Sequence, residues 1–191
     1  MAKYNLPTTE MLRKELDREN YRIRYNRILK NTIYSLVTVA AIAVLVATLL
    51  LPVFRIYGQS MTPTLHDGDI VVSVKTSNLQ TGDIISFYYN NKILVKRVIA
   101  GPGDFVEIEM DGTVKVNGNE IEEPYISEKS MGECDIIFPY QVPDSHYFVM
   151  GDHREVSVDS RSSTIGCIAE EQIVGKLVFA VWPMEDFGEL K

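Results

Sequence analysis

Apolar residues are arranged in two different ways along this chain. From Asn31 to Phe54 no side chain is charged. Ile33 to Leu51 is almost wholly apolar, with Tyr34, Ser35, Thr38 and Thr48 as mild exceptions. A helix needs about 20 apolar residues to cross the hydrocarbon core of a bilayer, so this stretch predicts a transmembrane helix. A cleaved leader carries a shorter apolar region, about 7–15 residues, close to its start. Here about thirty residues come first, and Leu51-Pro52-Val53-Phe54 offers no small-residue cleavage site. The span reads as an uncleaved anchor over residues 31–54.

After the span the pattern shortens. Apolar or alternating runs recur at Asp69–Val74, Asp83–Tyr89, Lys92–Ile99, Phe105–Met110, Thr113–Val116, Tyr147–Met150 and Ile173–Val181. Turn signals separate them, among them Gly82-Asp83, Gly101-Pro102-Gly103 and Asn117-Gly118, and Asp111-Gly112 marks a hairpin. Many short strands with Gly and Pro turns predict a mostly β domain, an antiparallel barrel or sandwich, over residues 55–191. Ile121 to Pro143 is less regular and reads as an insertion or long loop, and Ala169 to Gln172 as a short helical turn.

Charge changes this picture by adding direction. Residues 1–30 hold eight basic and four acidic side chains, whereas the chain beyond the span holds 11 basic and 22 acidic. Basic flanks stay on the cytoplasmic side. Residues 1–30 are therefore expected inside the cell, with Met11 to Lys30 as a helix near anionic headgroups, and the β domain outside. An acidic outer domain excludes nucleic acid as a natural partner. The apolar Phe54, Ile56 and Met61 follow the span closely enough to dip into the lipid interface.

The candidate chemistry begins at Ser60, within ten residues of the span's end. A serine hydroxyl is a poor nucleophile until a neighbour takes its proton. Lys96 is the candidate base. It lies in the run Lys92–Ile99, where alternation puts Leu94, Lys96 and Val98 on one face. An ammonium held on an apolar face is desolvated, which lowers its pKa toward neutrality. A third constellation, Gly151-Asp152-His153-Arg154-Glu155-Val156-Ser157-Val158-Asp159-Ser160-Arg161, is dense in hydrogen-bonding groups. Alone it reads as a solvated loop with local ion pairs.

Three boxes in this order behind an anchor resemble the type I signal peptidases, the membrane-bound serine–lysine proteases. The matches are Ser-Met-x-Pro-Thr-Leu at Ser60–Leu65, Lys-Arg-Val…Gly-Pro-Gly-Asp at Lys96–Asp104, and Gly-Asp-x-Arg-x-x-Ser-x-Asp-Ser-Arg at Gly151–Arg161. The short outer domain is similar to the compact Gram-positive members. The resemblance implies Ser60 as nucleophile, Lys96 as general base and Ser157 as a hydrogen-bond partner of the Lys96 amine. It implies an Asp159–Arg161 ion pair, an Arg97–Asp152 contact, and motif or substrate-side roles for Met61 and Pro63. Signal-peptide-bearing preproteins would be the substrates, cut after small residues as in Ala-x-Ala, beside the bilayer and close to the secretion machinery. No metal or organic cofactor is implied.

Two positions depart from the family pattern. Many members carry a serine two residues before the nucleophile, where its hydroxyl helps bind the oxyanion; here that position is Gly58. The third box has His153 where asparagine is usual, read as a tolerated loop residue and not as a base. Among other chemistries, a Ser-His-Asp hydrolase using His66, His146 or His153 lacks a Gly-x-Ser-x-Gly elbow. Cys134 and Cys167 admit a thiol enzyme, a disulfide or two buried thiols. A self-cleaving serine–lysine repressor would need a DNA-binding head. A non-catalytic membrane-anchored β module is the alternative from another class.

Overall fold

The computed structural model describes residues 7–190, the side chains of residues 47–50 excepted. Lys3 of the basic segment lies outside the described residues. The chain forms two compact units, divided between Leu49 and Leu50.

The first unit is a single helix, α1 (Thr9–Leu50, 42 residues), about 63 Å long at 1.5 Å per residue. Its described side chains are all exposed. It is the one helix among the described residues long and apolar enough to cross a membrane, with mean hydropathy 1.8 in its most apolar window. The basic and apolar stretches thus form one helix, not two elements. The helix stops at Leu50, short of Phe54. Pro52 has no N–H to continue the ladder and biases Leu51 away from the helical region. Val53 and Phe54, assigned to the anchor from their apolarity, pair with a strand of the second unit.

The second unit is an antiparallel β domain. Its strands are β1 (Val53–Arg55), β2 (Ile70–Val74), β3 (Ile84–Tyr89), β4 (Lys92–Ala100), β5 (Phe105–Ile108), β6 (Val114–Val116), β7 (Asn119–Glu120), β8 (Tyr140–Gln141), β9 (His146–Met150), β10 (Ile168–Ala169), β11 (Ile173–Trp182) and β12 (Gly188–Glu189). One sheet runs β1-β2-β11-β3-β4-β9-β10, with β12 on β11, and a smaller one runs β7-β6-β5-β8. Each of the seven sequence-predicted runs coincides with a strand to within two residues, and the turn expected at Ala169–Gln172 is a 3₁₀ turn at Glu170–Gln172. The Asp111-Gly112 hairpin joins β5 to β6. Sequence patterning missed β1, β7, β8, β10 and β12, which are two or three residues long, too short to show alternation.

Two local features place the later site. Asn90 and Asn91 take φ of +43° and +65° between β3 and β4. Asparagine tolerates that left-handed conformation, and a two-residue turn of this kind fixes hairpin register. The register sets Lys96 opposite Ile85. Ile85, Val98 and, at its margin, Leu94 belong to one core cluster, so the apolar face predicted around Lys96 is present. A second cluster joins Ile56, Met61 and Leu65 to Val71, Ile84, Leu177 and Ala180. Met61 is 2 % exposed and Ile56 5 %, and Phe54 packs against the same cluster. These side chains are core, which overturns the expectation that they dip into lipid. The apolar groups around Ser60 fasten its turn to the sheet instead.

Candidate active site

Ser60 sits in a turn-rich segment after β1. Thr62 N–H donates to the Gln59 carbonyl (3.2 Å) and Leu65 N–H to the Met61 carbonyl (2.9 Å). With Met61 and Leu65 buried below, the turn holds Ser60 half-exposed above. Pro63 is exposed on the same turn. Lys96, on β4, reaches it: its Nζ lies 2.7 Å from Ser60 Oγ in a hydrogen bond. The backbone N–H of Ser60 has no partner among the described residues.

Lys96 is 4 % exposed, and burial is the largest influence on its pKa, pushing it from 10.5 down to about 8. Asp159 and Asp152 oppose the shift and Arg161 reinforces it. The two carboxylates offset burial only partly because each is already matched by an arginine. Arg97 donates to Asp152 from Nε (2.9 Å) and Nη2 (2.7 Å). Arg161 donates to Asp159 from Nε (2.8 Å) and Nη2 (2.9 Å). Both pairs are buried and bidentate, the geometry in which buried ions are best compensated. Desolvation therefore decides the state of Lys96, as its place on the apolar face predicts.

The third box folds around this pair. Gly151 N–H donates to Asp159 Oδ2 (2.9 Å), and His153 N–H donates to the Ser60 carbonyl (3.1 Å). Gly151 is required by space. A Cβ there would collide with the Ser60 carbonyl and the Ser157 hydroxyl. This loop is not solvated: Asp152, Arg154, Ser157, Asp159 and Arg161 are each 0–1 % exposed. Read alone, its polar composition misleads, because the partners that permit burial lie far away in sequence.

Those partners come largely from the stretch Ile121–Pro143. Glu123 pairs with Arg154, the Tyr125 ring lies 3.9 Å from the Arg97 guanidinium carbon, and the Ser130 and Met131 carbonyls accept from Arg161 at 3.2 and 2.7 Å. Thr64, from the Ser60 box, donates to Asp152 Oδ2 (2.5 Å). None of Thr64, Glu123, Tyr125 and Arg154 was singled out from the sequence. Glu123 and Tyr125 sit in a segment without periodicity, whereas Thr64 and Arg154 lay within recognised boxes.

Two expected details differ. The Ser157 hydroxyl, implied as the partner of Lys96, is buried without a hydrogen-bond partner among the described residues; the Lys96 amine spends its contact on Ser60. Gly58 has φ +92° and its N–H donates to Asp67 Oδ1 (2.8 Å). A side chain there would find open space but a backbone conformation that suits glycine.

A cleft at Ser60 and Lys96 is lined by Ile56, Gly58, Met61 and Leu94 among others. β1 pairs only with β2, and the first half of β4 is paired with β3 alone. Both borders of the cleft thus carry backbone groups left unpaired by the sheet. His66, Asp69 and Asp186 bring ligand atoms within 4.8 Å of one another elsewhere and share no residue with Ser60 and Lys96. Cys134 and Cys167 are unpaired, half-buried thiols; burial pushes Cys167 up to about 11, the opposite of an activated nucleophile.

Comparison with known proteins bears on the same residues. Residues 29–182 match the family model described as signal peptidase, peptidase S26. Signal peptidase IB of Staphylococcus aureus (strain COL) is 39% identical over 176 residues, covering 81% of this chain and 90% of that one. Signal peptidase I of Bacillus amyloliquefaciens is 36% identical over 170 residues, covering 82% and 87%. A crystal structure of a signal peptidase I from Enterococcus faecalis V583 has 29% identity and a TM-score of 0.45, covering 53% of this chain and 97% of that one.

Proposed function

Because the chain belongs to the peptidase S26 family of type I signal peptidases, which remove signal peptides from secreted preproteins, we propose that Ser60 is its nucleophile and Lys96 its general base. The observation that carries this reading is the 2.7 Å contact between Lys96 Nζ and Ser60 Oγ, made by a buried amine whose pKa is about 8.

In this reading neutral Lys96 takes the Ser60 hydroxyl proton as Oγ attacks the scissile carbonyl. The oxyanion forms against the uncommitted Ser60 N–H. Lys96 then gives its proton to the departing amine of the mature protein, leaving the signal peptide esterified to Ser60. Water, deprotonated by Lys96, hydrolyses the ester. Ser157 stands ready as a second partner for the Lys96 ammonium, which forms only during the reaction. Its buried, unpartnered hydroxyl supports that role, since such groups are rarely left unused. Arg97, Asp152, Asp159 and Arg161 hold the third box through two buried, bidentate pairs, while burial keeps Lys96 near neutrality.

The unpaired borders of β1 and β4 fit an extended peptide that adds as a strand. Small side chains at the first and third positions before the cut would face the Ile56, Met61 and Leu94 walls. Residues 1–30 are proposed as cytoplasmic, α1 as the bilayer anchor from residue 31, and residues 55–191 as the outer catalytic domain close to the secretion machinery. The basic excess of the first segment supports this orientation.

The test is cleavage of a purified preprotein by the detergent-solubilised chain, with Ser60→Ala and Lys96→Ala beside it. Processing by wild type alone is expected. Cleavage that survives Lys96→Ala would move the base elsewhere. Protease protection of residues 1–30 in sealed vesicles tests the orientation.

A further inference from the structure

His153 was read from the sequence as a tolerated loop residue, yet it touches the nucleophile turn twice. Its backbone N–H donates to the Ser60 carbonyl at 3.1 Å. Its ring Nδ1 lies 2.9 Å from Thr62 Oγ1, and the same Thr62 hydroxyl lies 2.9 Å from the Gln59 carbonyl. A carbonyl oxygen only accepts, and a threonine hydroxyl has one proton to give. If that proton goes to Gln59, the contact with His153 is a hydrogen bond only when Nδ1 carries a proton of its own.

We propose that His153 is a positioning residue for Ser60, held with its proton on Nδ1 and clamping the Gln59–Thr62 turn through Thr62. The inference rests on Ser60 being the nucleophile. His153 acts through the turn and does not touch the reacting atoms. Its main-chain bond fixes the Ser60 carbonyl and its ring bond fixes Thr62 two residues on, whose hydroxyl reaches back to Gln59, so Ser60 lies within the turn that both hold. With Met61 buried beneath, the turn is gripped from above and below. The ring shares a polar hollow with Asp152, Arg154, Glu155, Glu128 and Lys129. The clamp is not a proton switch, because the imidazolium also carries a proton on Nδ1. Asparagine can donate from its amide to the same hydroxyl, whereas alanine cannot.

Two readouts test the clamp on the full chain in detergent micelles. The first is the tautomer. The chain has three histidines, so a ¹⁵N-histidine-labelled sample gives a simple imidazole spectrum, with His153 assigned by its loss in His153→Asn. In its neutral form His153 is expected as the Nδ1–H tautomer, shifting toward Nε2–H in Thr62→Val. The second is kinetic. His153→Ala is expected to lower kcat about tenfold through loss of alignment with KM nearly unchanged. His153→Asn is expected to restore most of that loss. Because Thr62 also bonds Gln59, Thr62→Val is expected to cost less in the His153→Ala background than in the wild type.

An Nε2–H tautomer in the wild type would overturn the proposal. So would equal kcat in the alanine variant and the wild type, or equal impairment by alanine and asparagine. Wild type and Lys96→Ala run beside these variants separate the two readings. A wild type that does not process, or a Lys96→Ala variant that does, counts against the Ser60–Lys96 assignment, while the tautomer still decides the clamp.

Discussion

The Nζ of Lys96 and the Oγ of Ser60 lie 2.7 Å apart, brought together from a strand and a turn 36 residues apart in the chain. Burial, the largest influence, pushes the Lys96 amine down to about 8. Only the neutral amine takes a proton, so kcat/KM is expected to rise with pH and level off above about 8. A pH–rate profile on a short signal-peptide substrate measures this directly. A profile that climbs instead with a midpoint in the usual histidine range would remove Lys96 from the role.

The same burial weakens the fold. The folded-state pKa of Lys96 lies below its ordinary 10.5, so the unfolded chain binds more protons between about pH 8 and 10.5, and this group's contribution raises stability with pH across that window. Below pH 8 the folded protein carries the whole penalty, about 3 kcal/mol at 1.36 kcal/mol per pKa unit. Lys96→Met removes an ammonium from an apolar face and keeps much of its volume. At pH 7 it is expected to raise the melting temperature while abolishing cleavage, and the gain should shrink toward pH 10. Thermal melts at several pH values give the comparison.

Asp159 acts on Lys96 from the other direction. Its carboxylate is the largest influence holding the amine's pKa up, and it is the bidentate partner of Arg161. Asp159→Asn leaves a buried guanidinium unmatched, which is expected to destabilise the fold by about 3–5 kcal/mol. In the fraction that folds, Lys96 loses an attraction and gains an uncompensated neighbour. The midpoint of the pH–rate profile is therefore expected to move below its wild-type value. A profile that stays in place would show that Asp159 does not act on the Lys96 charge.

How far these relations could be read in advance follows from where their partners lie. The environment of Lys96 was legible because Leu94 and Val98 are its neighbours on one strand and alternation alone puts them on its face. The β3–β4 hairpin was legible in outline, though the Asn90-Asn91 turn that fixes its register was not named. The Arg97–Asp152 pair was legible only through resemblance, since no periodicity links residues that meet across a fold, whereas Asp159 and Arg161 stand two residues apart in a loop whose composition already suggested local ion pairs. The burial of the third box was not legible. It depends on Glu123, Tyr125 and the Ser130 and Met131 carbonyls, which lie in an aperiodic stretch. The end of the anchor at Phe54 and the lipid-dipping role expected of Ile56 were misread for a different reason: apolarity does not distinguish a residue facing lipid from one packed against a core, and both side chains belong with one core cluster.

Ser157 gives a test in which stability and activity part. Its hydroxyl is buried and unpartnered, and such a group opposes folding by about 1–3 kcal/mol. Ser157→Ala is expected to leave the melting temperature unchanged or higher. If the hydroxyl receives the Lys96 ammonium during turnover, kcat should fall about tenfold or more, a loss of at least 1.36 kcal/mol in the barrier. Calorimetry and steady-state kinetics on one preparation separate the two effects. An unaffected kcat would leave Ser157 as packing only.

Gly151 carries the strictest requirement. Its conformation is not left-handed, so a substitution there tests space alone. An alanine Cβ would meet the Ser60 carbonyl and the Ser157 hydroxyl inside contact distance. The Ser157 side chain can rotate away, but the Ser60 carbonyl is backbone, held by His153 N–H and by the buried Met61 beside it. The methyl group must therefore push either the Ser60 turn or the Gly151 loop. Either movement changes the Ser60–Lys96 separation, because Gly151 is tied to Asp159 and Asp159 acts on Lys96. Misplacement of a reacting group by about 1 Å lowers rates by about 10². Gly151→Ala is expected to reduce kcat by at least that factor, with a lower melting temperature and substrate affinity less affected. Restoring room through the double variant Gly151→Ala with Ser157→Gly should recover stability more than rate, since it relieves the side-chain collision and leaves the one with the Ser60 carbonyl in place.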